Sequence, residues 1–285
     1  MARVLSHVRP YGRGIFGMVA HERAHSRRSL SLMKPTATGR ILFWRGGSMW
    51  IGLAGEAAGF HAHHAVQIAL PFPRGCVQLR GPSGSWTSYT AALVAAHQPH
   101  AFEARAQLVA QIFVEPESHE GRQFERRYRN EGIVALPSES HEQQIVGLSA
   151  AYKKRASDTA LIALARAAVA TLSGAITEPT NLPDARIARA VELIRERLSD
   201  TIPLSAMAAA VHLSPDRFRH LFMKETGVGF RAYLLWQRLE CSLAAYVAGE
   251  TLTEAAHTGG FADSAHFSRT FRRMFGIAPA SVRPE

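Results

Sequence analysis

The chain is 285 residues long, with a formal net charge of +10 and a hydrophobic fraction of 47%. That length leaves room for about two domains with ordinary packed cores. No apolar run approaches the roughly 18 residues a membrane-spanning helix needs. Cys76 and Cys241 stand far apart in no metal or redox spacing, which argues against a disulfide framework and for a reducing, cytoplasmic setting.

Residues 1–40 hold eight Lys/Arg and one acid and show no apolar periodicity. They are expected to be a disordered basic segment. From 41 to 114 short apolar runs follow one another: Ile41–Trp44, Met49–Leu53, Ala65–Leu70, Cys76–Leu79, Trp86–Tyr89, Ala91–Ala95 and Leu108–Val114. Turn residues separate them, such as Pro71-Phe72-Pro73-Arg74-Gly75 and Gly81-Pro82-Ser83-Gly84. The spacing predicts a small β-barrel or sandwich, within a domain spanning 41–136.

Inside it, His61 and His63 stand one residue apart on an expected strand and so point the same way. His100, in His97-Gln98-Pro99-His100, is a candidate third partner. Three imidazoles can hold Zn, Fe or Mn. The arrangement resembles a metal-binding cupin barrel, but Gln67 stands where such enzymes carry a carboxylate. His61, His63, Gln67 and His100 are therefore read as the site of a small-molecule effector. No metal, no cofactor and no catalytic residue are expected.

Residues 118–129 are polar and predicted helical. Between 140 and 176, Leu161, Leu164, Ala168, Leu172 and Ile176 share one helical face. Region 137–178 is expected to join two copies into a homodimer and to relay the signal. Residues 179–186, with Pro179 and Pro183, are a linker. Asp184 is placed to cap a helix carrying Ile187, Val191, Ile194 and Leu198 on one side.

The last hundred residues carry one pattern twice. The first copy reads Leu204-x-x-Met207-Ala208, Leu213-Ser214-Pro215, Phe218-x-x-x-Phe222 and Gly227. The second reads Leu252-x-Glu254-Ala255-Ala256, Gly259-Gly260-Phe261, Phe267-x-x-x-Phe271 and Gly276. Each predicts a short helix, a tight turn and a second helix closed by glycine, over about 203–226 and 251–275. That is a helix-turn-helix, whose second helix can enter a DNA major groove.

Opposite the phenylalanines the first copy presents Arg217, Arg219, His220 and Lys224. The second presents Ser264, His266, Arg269, Arg272 and Arg273. Such side chains suit base edges and phosphates. Residues 184–285 as a whole carry thirteen basic and eleven acidic residues, so placement on one face carries this argument and bulk charge does not. Gly229–Ala248 is predicted to be one long helix that sets the distance between the two readers.

This region resembles the DNA-binding domain of the AraC/XylS family of bacterial transcription regulators. The residues that carry the resemblance are Arg238-Leu239, Glu254-x-Ala256, Gly260-Phe261, His266-Phe267-Ser268-Arg269-x-Phe271 and Phe275-Gly276-x-x-Pro279-x-x-x-Arg283. Ala255 replaces a larger aliphatic of the family pattern, and Val282 an aromatic. The resemblance implies an α+β chain: a cupin-like N-terminal β-barrel, connecting helices, and an all-α DNA-binding domain over 187–284. It also implies promoter DNA, RNA polymerase and a small-molecule effector as partners, with no membrane. The alternative is a cupin-fold metal-dependent enzyme with an accessory DNA-binding domain.

Overall fold

Strand β1 (Ala37–Trp44) opens the described part of the chain. The computed structural model describes residues 37–55, 57–128, 131–174, 183–198 and 201–284, all within a compact unit over 33–285. The remainder of the basic N-terminal segment, Ile176 and the first half of the expected linker, 179–182, lie outside the described residues. β1 begins inside the segment expected to be disordered. There Gly39 has φ of 151° and sits against Gly52, where a Cβ on either residue would strike backbone. Glycine lets the two chains approach this closely.

The strands that follow are β2 (Gly47–Ala54), β3 (Ala58–His61), β4 (Val66–Pro71), β5 (Val77–Arg80), β6 (Thr87–Tyr89), β7 (Ala92–Val94), β8 (His100–Glu103) and β9 (Leu108–Val114). Helix α1 (His119–Tyr128), strand β10 (Ile133–Ala135) and helices α2 (Ser138–Lys153) and α3 (Asp158–Ser173) complete the N-terminal part. The strands form two sheets. One runs β10-β7-β4-β9-β2-β1 and gains a last strand, β11 (Val282–Pro284), from the C-terminus. The other runs β3-β8-β5-β6. All pairings are antiparallel except β1 with β11.

Two-residue alternation explains why β4 reads as a continuous apolar run. Val66, Ile68 and Leu70 join the core beneath the helices, while Ala69 joins the core between the sheets. β9 does the same, with Ala110, Ile112 and Val114 on the helix side. Both faces of this sheet are covered, so neither strand has a face in solvent, and their polar residues Gln67 and Gln111 bond each other at 2.9 Å.

The helical region expected over 140–176 is two helices. Arg155, at φ of 54°, breaks the run, and Ser157 restarts it by accepting the Ala160 N–H. Their apolar faces cover the sheet: Ile145, Leu148, Leu161, Ala165, Ala168 and Leu172 belong to the same core as Ile68 and Ile112. Leu164 is only half-buried.

The C-terminal part is helical: α4 (Ala185–Glu196), α5 (Leu204–Ala210), α6 (Pro215–Thr226), α7 (Phe230–Val247), α8 (Leu252–Thr258) and α9 (Ser264–Phe275). Polar side chains cap three of these helices, Asp184 among them as expected. Asp184 accepts from Arg186 N–H, Ser214 from Arg217 N–H and Asp263 from His266 N–H. Gly227 and Gly276 end α6 and α9 in the left-handed region, where a residue with a Cβ is strained. Ala255 is fully buried where α8 meets α7, and nearby a Cβ on Gly259 would strike Ser242 Oγ and the Arg238 carbonyl. Small residues here let the two helices approach closely.

Strands β10 and β11 were not anticipated, and β3 and β8 were expected only as the strands that carry the histidines. β11 holds Val282, 2% exposed, in a core shared with Ile41, Trp50 and Phe271. An aliphatic residue suits this strand position against β1.

Candidate functional site

The paired helices are built alike. In α6, Phe218 and Phe222 are fully buried and pack on Phe230 of α7 with ring centroids 5.6 Å away. In α9, Phe267 and Phe271 are fully buried and Phe275 nearly so. With one side of each helix committed to the core, the other is in solvent. Arg217, Arg219, His220 and Lys224 are exposed on α6. On α9, His266, Arg269, Arg272 and Arg273 are exposed and Ser264 is half-buried. Arg219 pairs with Asp216 at 2.7 Å and His220 Nδ1–H donates to the Asp216 carbonyl at 2.8 Å. Both partners of the ion pair are more than half exposed, so it contributes under about 1 kcal/mol and holds Arg219 weakly.

The histidine site assembles differently from the sequence expectation. Of His61 and His63, only His61 lies on a strand, as the last residue of β3; His63 follows in the turn toward β4. Strand alternation therefore does not bring them together. His61 is instead the cross-strand partner of His100 on β8, and the turn folds His63 back onto both. Ring centroids are 4.2 Å apart for His61–His100, 5.2 Å for His63–His100 and 5.7 Å for His61–His63. Gln67, from the other sheet, places Oε1 3.0 Å from Nε2 of both His63 and His100. All four expected residues thus converge, and all are buried.

Each ring has a backbone carbonyl at Nδ1: Gly59 for His61 at 2.7 Å, Ala65 for His63 at 2.8 Å and Gln98 for His100 at 2.9 Å. A carbonyl only accepts, so Nδ1 carries the proton and Nε2 is a bare acceptor. Burial lowers the pKa of His61. Burial, with the His61 ring adding, lowers His63 to about 3. His100 falls well below the usual value, through burial first and His63 and His61 next. All three rings are therefore neutral near pH 7. The cavity beside them is about 40 Å³, walled by Trp50, Phe102, Phe113 and Phe275 among others. Organic ligands occupy roughly 300–1,000 Å³, so one of ordinary size needs these walls to part.

Sequence reasoning missed the junction between the two parts. Trp50 of β2 stacks on Phe271 at 6.2 Å and packs on Phe275 at 4.8 Å. Gly59 N–H donates to the Gly276 carbonyl at 3.2 Å. Glu115 accepts from Gln237 at 2.7 Å and from Arg195 at 2.5 Å, and Tyr233 O–H donates to Glu117 at 2.6 Å. His64 lies 3.0 Å from Glu117. Burial pushes the Glu115 carboxyl up, Glu117 adds to this and Arg195 opposes it. A second cavity, about 290 Å³, opens at this junction, lined by Arg45, Glu115, Val191, Glu192, Arg195 and Glu225 among others. No local sequence signal marks this junction, because the burial of the polar residues Tyr233 and Gln237 on α7 depends on partners from a distant strand.

The helical C-terminal part, with a solvated basic face on α6 and another on α9, has the build of a DNA-binding domain. The comparisons agree. A helix-turn-helix domain model matches residues 207–285. The arabinose operon regulatory protein of Escherichia coli is 32% identical over 114 residues, covering 38% of each chain. The transcriptional activator NphR of Rhodococcus is 33% identical over 138 residues, covering 45% of this chain and 41% of that protein. The regulatory protein PocR of Salmonella typhimurium is 29% identical over 103 residues, covering 36% and 34%. The matched region thus spans about a third to two fifths of these relatives. Over this C-terminal domain the chain is similar to helix-turn-helix transcription regulators, in line with the AraC/XylS resemblance of its sequence. The fold likeness reaches further. ToxT of Vibrio cholerae O395 superposes with a TM-score of 0.53 at 13% identity, covering 82% of this chain and 95% of ToxT.

Proposed function

We propose that the chain is a sequence-specific, effector-responsive regulator of transcription. Residues 187–284 bind promoter DNA through two helix-turn-helix units, α5–α6 and α8–α9, whose second helices enter neighbouring major grooves. The observation that carries this reading is the duplicated build: a capped helix, buried phenylalanines four residues apart, and a solvated basic face opposite. Arg219, His220, His266 and Arg269 are assigned to base edges, and Arg217, Lys224, Ser264, Arg272 and Arg273 to the flanking backbone.

Residues 41–136 are read as a cupin-like sensing domain and 137–178 as the connecting and dimerising region. Val146 of α2, 57% exposed, is an apolar residue available to a second copy. RNA polymerase is the expected partner on the promoter. The sensor packs directly on the DNA-binding part, which supports the reading that a ligand alters DNA affinity by altering this packing. ToxT has been solved bound to (E)-4-(8-methylnaphthalen-1-yl)but-3-enoic acid. From that we take only that this fold can accept a small molecule.

No helix among the described residues is long and apolar enough to cross a membrane. The relatives are transcription regulators, and no catalytic role is assigned here. Footprinting of the purified chain on the DNA upstream of its own gene tests the reading. Protection of discrete boxes is expected, and uniform salt-sensitive coating would overturn sequence-specific binding.

A further inference from the structure

We propose that His61, His63 and His100, with Gln67, hold a divalent transition-metal ion of the zinc type, and that this ion fastens the sensor to the DNA-binding part. The inference deepens the reading above by naming the chemistry of one regulatory ligand, and rests on that reading only for its effect on DNA.

Four acceptors meet here without a proton among them. The carbonyls of Gly59, Ala65 and Gln98 hold the three rings with Nδ1 protonated, which leaves three bare Nε2 atoms, and Gln67 Oε1 faces two of them. Lone pairs directed at one another repel, and a cation placed between them turns the repulsion into coordination. Carbonyl acceptors at the outer nitrogen are the usual way a ligating imidazole is fixed in tautomer and orientation.

The dimensions fit an ion. One ring nitrogen from each histidine lies within 4.8 Å of the other two. Zinc–nitrogen bonds of about 2.0–2.1 Å in tetrahedral geometry place nitrogens roughly 3.3 Å apart, so the rings close by on the order of 1 Å. The adjoining cavity of about 40 Å³ has room for about one water or hydroxide as a further ligand. Trp50, one of its walls, has an indole N–H that is buried without an acceptor among the described residues, and a metal-bound water would supply one. Neutral imidazoles and an amide favour a borderline cation over Mg²⁺ or Ca²⁺, which require oxygen donors. The donor set offers no carboxylate, so the ion's charge stays uncompensated in an aromatic box.

The site also touches the DNA-binding part. A Cβ on Gly276, the cap of α9, would lie 2.7 Å from His61 Nδ1. The His63 ring is 6.1 Å from Phe275 and 6.3 Å from Trp236 of α7. Drawing the three rings together fixes the 59–65 turn, and that turn carries the Gly59–Gly276 bond.

The test uses the full chain, stripped with a chelator and titrated with Co²⁺ and Zn²⁺. One equivalent per chain is expected, with visible Co²⁺ bands of low-coordinate geometry and a rise in Tm on zinc addition. The variants His61→Gln and His100→Gln should lose the bands and the Tm rise; circular dichroism of the stripped proteins shows whether they fold. His61→Gln is the safer variant, because His61 is at the rim and His100 is fully buried. No uptake by folded wild type overturns the site. Uptake that survives in both variants overturns it too. Promoter affinity should differ at least threefold between zinc and chelator in wild type and not in the variants; equal affinities overturn the regulatory half. A chain that takes up metal but binds no promoter DNA under either condition overturns the regulator reading and leaves the site standing.

Discussion

Gly276 ends α9 with its carbonyl accepting the Gly59 N–H of the sensor at 3.2 Å, so one residue both caps the helix and docks the domain. Gly227 caps α6 with nearly the same backbone, φ of 77° against 72°, but the nearest atom to a Cβ there is 3.7 Å away. Gly227→Ala should therefore lose only the left-handed strain, about 1–2 kcal/mol. Gly276→Ala should lose more, because its Cβ would lie 2.5 Å from the Gly59 carbonyl oxygen and 2.7 Å from His61 Nδ1. Urea unfolding of the two variants checks this, and equal midpoints would show that the junction is not held at Gly276.

Arg219 and Arg269 are exposed on helices whose other faces are buried. The long helix α7 holds those two helices at one spacing, so the half-site should contain two boxes roughly 10 bp apart. Arg219→Ala or Arg269→Ala should lose about 1–3 kcal/mol and relax preference in one box only. Arg273→Ala should weaken all sequences alike and reduce the salt slope by about one. Affinities across single-base operator variants decide it, and uniform loss in the first two variants would remove base reading from these helices.

Phe222 and Phe271 are both fully buried, but in different company. Phe222 packs within its own domain, on Phe218, Phe230 and Tyr233. Phe271 also stacks on Trp50 of the sensor. Truncating either to Ala should cost about 3–5 kcal/mol. Only Phe271→Ala should move the emission of Trp50, measured in a chain where the other tryptophans are replaced by phenylalanine. A Trp50 signal equally sensitive to both substitutions would mean the two cores are not separate.

His63 titrates near 3 in the folded chain against an ordinary 6.5, chiefly through burial. Between those values the unfolded chain binds the proton and the folded chain does not. Stability should therefore fall as pH drops from about 6.5 toward 3 and stay level above. In chelator, the urea midpoint of wild type should drop faster from pH 7 to pH 5 than that of His63→Gln. Parallel profiles would show that the buried ring is not the source.

The C-terminal third was legible in the sequence because its information is local. Ser214-Pro215 starts a helix, Gly227 stops it, and Phe218 and Phe222 at a spacing of four name the buried face; the same signs recur from Asp263 to Gly276. Each rests on backbone hydrogen bonding within a few residues. The strands rich in alternating or apolar runs were legible for the same reason. What only the tertiary structure decided is long-range. β3 and β8 are short and contain histidine and glycine, so no local preference marks them, and they exist because each pairs with the other. His61 meets His100 across that pairing, not by alternation with His63. Val282 becomes a strand only because the edge of β1 offers it hydrogen bonds. Tyr233 and Gln237 are buried only because Glu115 and Glu117 arrive from the end of a distant strand. Burial and pairing of this kind depend on which surfaces meet, and a pattern read along one segment does not contain its partner.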